Sequence, residues 1–163
     1  MSKVIVIGGG PAGMMAAYAA ACQEHHVTLL EQNEKLGKKL FITGKGRCNI
    51  TNASDMDHLF ANVMSNQKFL YSAFYTFDNE QVIAFFEEQG LHTKVERGNR
   101  VFPVSDHSSD VIAALSRALR EKHVEIMLHT KVEKLLVQDA CAYGVILSSG
   151  KRIEADAVIV ATG

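Results

Sequence analysis

Residues 8–13 read Gly-Gly-Gly-Pro-Ala-Gly and fit the spacing G-x-G-x-x-G, with Gly8, Gly10 and Gly13 in the three glycine positions. That spacing suits the binding of a dinucleotide's diphosphate. The first glycine makes the tight turn after a strand. The second has no Cβ to hold the pyrophosphate away from the backbone, and the third lets the following helix lie close to the strand. Pro11 and Ala12 then open a helix whose N-terminal N–H groups and partial positive charge favour an anion. Glu31 stands 18 residues after Gly13, with Gln32 beside it. A carboxylate there accepts both hydroxyls of an adenosine ribose and repels a 2′-phosphate, so the ligand called for is FAD or NAD, not NADP.

A second stretch, GKKLFITGKGRCNITN (residues 37–52), carries the remaining candidate chemistry. It is not a Walker A loop, because Lys39 stands where the first glycine belongs and Lys45 is followed by Gly46 instead of Ser or Thr. Nor is it a zinc site, since Cys48 has no cysteine or histidine at ligand spacing. Lys39 is a candidate for a phosphate or the adenosine side of a cofactor. Gly44 and Gly46 allow close backbone approach to a flavin ring or a diphosphate. Arg47 and Asn49 can donate to carbonyl and pyrophosphate oxygens. Cys48, between Arg47 and Asn49, invites a reactive-thiol reading. No partner cysteine or positioned base is evident, so packing or cofactor contact is the favoured role. None of the seven histidines is assigned to catalysis, and no metal site is expected.

The elements that must position these residues follow from periodicity. KVIVI (3–7) is a continuous β-branched run, as in a strand buried on both faces. The alanine-rich segment after Pro11 favours helix, and HVTLLE (26–31) reads as the next strand, which makes one βαβ unit. Residues 55–76 predict short helices. Asp78 with Gln81 predicts a capping box for a helix that Gly90 stops. Gly98-Asn99 predicts a two-residue hairpin, and Ser105 or Asp106 a cap for a helix running to about Lys122. From Val124 the pattern turns to strands, ending in DAVIVATG. Phe69, Phe74, Phe77, Phe85 and Phe86 are expected in the core. The fold class is therefore α/β: a Rossmann-like parallel sheet with helices and a small antiparallel meander, read as a single domain over 1–163.

At 163 residues with net charge −1, the chain is long enough for one domain and has no basic or acidic tail that asks for nucleic acid or membrane. Three scattered cysteines without a CxxC predict a reducing, cytoplasmic setting, and make the two sequons at Asn49 and Asn52 accidental. The uncharged run from Val4 to Cys22 is broken by the glycines and Pro11, which argues against a signal peptide or a membrane span. The close on a buried strand predicts a fragment of a longer chain.

The order of parts, one βαβ unit, a long excursion, short antiparallel strands and then Ala161-Thr162-Gly163, resembles the two-dinucleotide-binding flavoproteins. More specifically, residues 37–52 closely resemble the G-(R/K)-K-…-(S/T)-G-…-G-R-C-N-…-T-N segment of the HI0933-like flavoproteins. That family includes proteins described as BaiN-type reductases and as aminoacetone oxidases. The resemblance extends through RVFPVSDHSSDVI to the terminal ATG. It implies bound FAD, with NAD(P)H one candidate electron donor, a small organic substrate, and a carboxy-terminal portion that completes the flavin site. The implied cofactor contacts are the residues named above together with Val132, Ala161, Thr162 and Gly163. A nucleotide-binding module without turnover is the alternative reading.

Overall fold

A computed structural model describes residues 1–163, except that residues 43 and 44 are described only as backbone. The chain runs β1 (Lys3–Ile7), α1 (Pro11–Cys22), β2 (His26–Leu30), α2 (Lys38–Ile42) and β3 (Thr51–Asn52). It continues through α3 (Met56–Ala61), α4 (Gln67–Thr76), α5 (Asn79–Glu88), β4 (Thr93–Glu96), β5 (Arg100–Pro103) and α6 (Ser108–Glu121). The last strands are β6 (Glu125–Met127), β7 (Val132–Gln138), β8 (Cys141–Leu147), β9 (Arg152–Glu154) and β10 (Ala157–Val160). Two compact units result: Met1–Leu40 with Leu115–Gly163, and Phe41–Ala114. Among the described residues no helix is long and apolar enough to cross a membrane.

The first unit holds a parallel sheet in the order β10-β1-β2-β6. Its central strand is β-branched on both faces because both faces are covered: Val4, Ile5, Val6 and Ile7 are all buried. On α1, Gly13, Met14 and Ala17 form the buried stripe. The antiparallel meander β7-β8-β9 packs its Val145 and Leu147 against Ile5, Ile7 and Leu30. Val132 joins the edge of that cluster.

The second unit contains the small sheet β3-β5-β4. The capping box forms in both directions, with the Gln81 N–H donating to Asp78 and the Asp78 N–H donating to Gln81. Phe85 and Phe86 are buried as expected.

Three expectations need correction. The hairpin closes on Glu96 and Arg100, so its loop has three residues, Arg97 to Asn99, with Gly98 and Asn99 both left-handed. Helix α6 begins at Ser108, because the Asp106 backbone is left-handed (φ 59°) and its side chain is engaged elsewhere. Phe69 is 85% exposed and Phe77 is also exposed. The buried ring here is Phe60, whose neighbours Tyr71, Phe74 and Tyr75 share one face of α4. Phe69 lies on the opposite face at 100° per residue, and Phe77 falls in extended backbone past the helix end.

Candidate functional site

The sheet order creates a topological switch point. From β1 the chain moves outward to β2 and β6, then returns as β10 on the other side of β1. In open α/β sheets ligands bind beyond the carboxyl ends of the strands at such a point. The glycine loop follows β1 and Ala161-Thr162-Gly163 follow β10, so the structure brings these two segments together. The Ala161 N–H donates to the Ile7 carbonyl at 2.9 Å.

The four glycines of the loop differ in what requires them. At Gly8 (φ 111°) a Cβ would overlap the Ala161 carbonyl, and at Gly13 it would overlap the Gly8 carbonyl. At Gly9 it would press on Leu36 and on the Glu31 carboxylate. Gly10 is another case. Its backbone is ordinary extended chain, φ −77° and ψ 177°, and a Cβ there meets nothing within 4 Å. Beyond its place as the N-cap of α1, no protein contact requires glycine at that position. A ligand lying against the backbone does, which is the fit expected of a dinucleotide's diphosphate.

Pro11 occupies the first turn of α1, and no acidic side chain stands there. The first N–H groups of a helix have no intrahelical acceptor, and Pro11 has none to offer. Ala12 and Gly13 are therefore the donors at this helix N-terminus, in the positive end of its dipole.

Glu31 directly follows β2 and is buried. One carboxylate oxygen, Oε2, accepts the Gly9 N–H at 2.6 Å. The other, Oε1, accepts the Asn33 N–H at 2.7 Å and the Asn33 Nδ2 at 2.6 Å. The carboxylate thus ties the end of β2 to the glycine loop, and Gly37 adds a second tie by donating to the Gly9 carbonyl at 2.8 Å. An ionised carboxylate offers about four acceptor positions, so roughly one is left for a ribose hydroxyl. Glu31→Ala is expected to weaken FAD binding by roughly 1.5–3 kcal/mol and to lower stability by about 1–3 kcal/mol through the orphaned N–H groups. Unchanged affinity in a titration would remove Glu31 from the site.

Gln32 and Lys39 are exposed in the same unit. In the second unit, Gly46 is left-handed (φ 87°) with open space where a Cβ would stand. Gly44 lies outside the fully described residues. Cys48 is a buried thiol with left-handed backbone (φ 61°). The Asn49 amide, oriented to donate, reaches the Val101 carbonyl at 3.2 Å and the Thr51 carbonyl at 3.0 Å.

Arg47 donates from Nε to Asp106 at 2.7 Å and from Nη2 to Glu96 at 2.5 Å, with its Cζ 4.3 Å from the centre of the Phe102 ring. Lys94 completes the group by donating to Asp106 at 2.6 Å. Hydrogen bonds from Lys94 and then Arg47 hold the Asp106 carboxyl below its ordinary range. The Arg47 bond does the same for Glu96, and the Arg47 guanidinium is raised in turn. The contribution of the group is complete above the ordinary carboxylate pKa and is lost as pH falls through the depressed values.

Reasoning from sequence missed Gly9, Asn33 and Gly37 in the first unit. It also missed Lys94, Glu96 and Asp106 as partners of Arg47, and Asn52 and Asn79 in the second unit. The Asn79 amide donates to the Asn52 and Ser54 carbonyls, and the Asn52 amide to the Gly98 carbonyl, which fixes the segment after Asn49. The legible signals among these were the Asn two residues past the glutamate, and Gly37 and Asn52 at the ends of the 37–52 motif.

Comparison with known proteins agrees with this arrangement. A "3-dehydro-bile acid delta(4,6)-reductase" of Clostridium scindens is 37% identical over all of this chain and 39% of its own length. A "Ribosomal RNA dihydrouridine synthase" of Haemophilus influenzae is 27% identical over 99% of this chain and 40% of its own length. The chain therefore spans about two fifths of the curated relatives it matches. The solved 3-ketosteroid-delta4-(5alpha)-dehydrogenase of Rhodococcus jostii RHA1 superposes on 99% of this chain and 46% of its own, with a TM-score of 0.76 at 15% identity. That likeness shows the fold. Since the HI0933-like protein Rossmann domain matches residues 2–163, the chain belongs to the HI0933-like family.

Proposed function

We propose that this chain is the FAD-binding part of a flavin-dependent oxidoreductase that moves a hydride or electrons between FAD and a small organic substrate. Gly10 is the observation that carries the reading, because its bare Cα serves a ligand and no protein neighbour. The backbone at Gly8, Gly10, Ala12 and Gly13 would cradle the diphosphate, with Pro11 fixing the helix start. Glu31 would hold the adenosine ribose, with Gln32 beside it. Ala161, Thr162, Gly163 and Val132 would lie toward the flavin. Lys39, Gly44, Gly46, Arg47, Cys48 and Asn49 join the proposal from their motif alone. The flavin, when bound, supplies the redox chemistry, and the protein binds and orients it. NAD(P)H is proposed as electron donor, and the cytoplasm as location. The substrate wall is proposed to lie in the part of the relatives that this chain does not span.

The reading is supported by the relatives' names, since one is a reductase of a bile-acid derivative. A second reading takes an RNA base as substrate, and is favoured by two relatives named "Ribosomal RNA dihydrouridine synthase", at 27% and 24% identity. The reductase is the more similar of these relatives over the full chain, at 37% identity against 27% and 24%, so the small substrate stays first. Reconstitution with FAD tests the cofactor: bound flavin absorbs near ~450 nm and NAD does not. In the full-length protein, reoxidation of the reduced flavin by an unsaturated steroid ketone or by ribosomal RNA then separates the two substrate classes.

Cys48 gives a sharper check on the chemistry. Its burial fits packing, so Cys48→Ala is expected to retain FAD and to lower turnover by less than about tenfold, about 1.4 kcal/mol of barrier. Flavin content and steady-state rate must be recorded together, on the full-length protein. A loss of ~1000-fold, about 4 kcal/mol, with flavin still bound would make the thiol a participant in the reaction.

A further inference from the structure

We propose that Arg47 is a positioning residue, clamped by Glu96 and Asp106 so that residues 46–49 keep a fixed backbone, and not a phosphate ligand. The proposal rests on the reading of residues 44–49 as a cofactor-facing segment, and deepens it. All the groups involved belong to the second unit.

Three observations carry it. First, the guanidinium is held on several sides: Nε by Asp106, Nη2 by both Glu96 and Asp106 at 2.5 and 2.6 Å, and its plane by the Phe102 ring. With Nε and Nη2 held by two carboxylates, the Nη1 side of the fork is what remains to face a ligand. Second, the four groups in direct contact balance in charge, with Arg100 a further cation 5.7 Å from the centre of the Phe102 ring. Arg47 and Lys94 are matched by Glu96 and Asp106, with Lys94 reaching Asp106 at 2.6 Å and Glu96 at 3.6 Å. A diphosphate brought to Arg47 would meet two carboxylates on the same guanidinium.

Third, the backbone around Arg47 needs holding. Gly46 and Cys48 are both left-handed, at φ 87° and 61°, and such a conformation in a non-glycine residue persists only where its surroundings impose it. The surroundings here are the Arg47 clamp on one side and β5 on the other. On β5 the Val101 carbonyl accepts the Ile50 N–H at 2.8 Å and the Asn49 amide at 3.2 Å. The cation of this motif therefore works inward, and what the segment offers a ligand is its ordered backbone.

The two roles predict different effects on FAD binding for the two carboxylate variants, Glu96→Gln and Asp106→Asn. Cys48 reports on the segment directly, since it is buried while Cys22 and Cys141 are exposed. In a Cys22→Ser, Cys141→Ser background, the rate of Cys48 reaction with a disulfide reagent is measured without flavin, and FAD affinity by titration. Arg47→Lys, Glu96→Gln and Asp106→Asn are compared, all well below their unfolding temperatures. The expected result is that each raises the thiol rate at least tenfold and that all three weaken FAD binding, although two of them remove negative charge. If Arg47 were a phosphate ligand, Glu96→Gln and Asp106→Asn would leave FAD binding unchanged or tighten it while Arg47→Lys weakens it, which overturns the proposal. Thiol rates within twofold of the parent overturn it as well. If the parent chain binds no FAD, the functional reading fails, and the thiol rates alone decide whether the clamp stands.

Discussion

Gly10→Val should abolish FAD retention while leaving the fold in place. The separation of the two effects follows from where a side chain at position 10 would go. Its backbone, φ −77° and ψ 177°, is one that valine adopts without strain, and no atom outside its own chain neighbours lies within 4 Å of the added Cβ. The cost to the free protein is then limited to replacing a glycine N-cap with a poorer one, about 1 kcal/mol or less. The same methyl groups would stand in front of the N-terminus of α1, where the diphosphate must come within hydrogen-bond reach of the Ala12 and Gly13 N–H groups. Affinity is expected to fall at least about 100-fold, about 2.8 kcal/mol. Flavin content after purification and a titration of the stripped protein measure it, with thermal unfolding as the control. A variant that stays yellow at the parent's stoichiometry would remove the diphosphate from this loop.

Features written in local chemistry were legible in the sequence. The β-branched run of β1, Pro11 at the start of α1 and the glycine spacing each depend on residues a few positions apart. The Asp78–Gln81 capping box does too, and both of its hydrogen bonds form. What was hidden depends on distant partners or on backbone that residue type does not announce. Arg47 meets Glu96 and Asp106 across 49 and 59 residues, and no periodicity links them. The left-handed backbone at Lys45, Cys48 and Asp106 arises in residues with no intrinsic preference strong enough to predict it, and for Asp106 it moved the start of α6 one or two residues past the expected one. Glu31 was legible as a ribose-facing carboxylate. Its bonds to Gly9 and Asn33 were not, because the motif describes the liganded role and says nothing of what shapes the loop.

Gly13→Ala is expected to do the reverse of Gly10→Val. A single methyl there would overlap the Gly8 carbonyl, a backbone atom that cannot rotate aside as a side chain could. Gly8 has little freedom to yield, because its N–H is bonded to the Leu30 carbonyl at 2.8 Å and its own Cα faces the Ala161 carbonyl. The start of α1 must therefore lift from the end of β1, loosening a stripe in which Met14 and Ala17 are fully buried. Overpacking with backbone displacement places the loss at about 3 kcal/mol, or roughly 6–12 °C in Tm for a chain of this size. Any loss of FAD should then track the loss of structure: with excess cofactor at low temperature, the folded fraction should still bind it, whereas Gly10→Val should not. A Tm within about 2 °C of the parent would mean that the start of α1 is held to β1 less tightly than its contact with the Gly8 carbonyl requires. The third glycine would then join the second in serving the ligand instead of the fold.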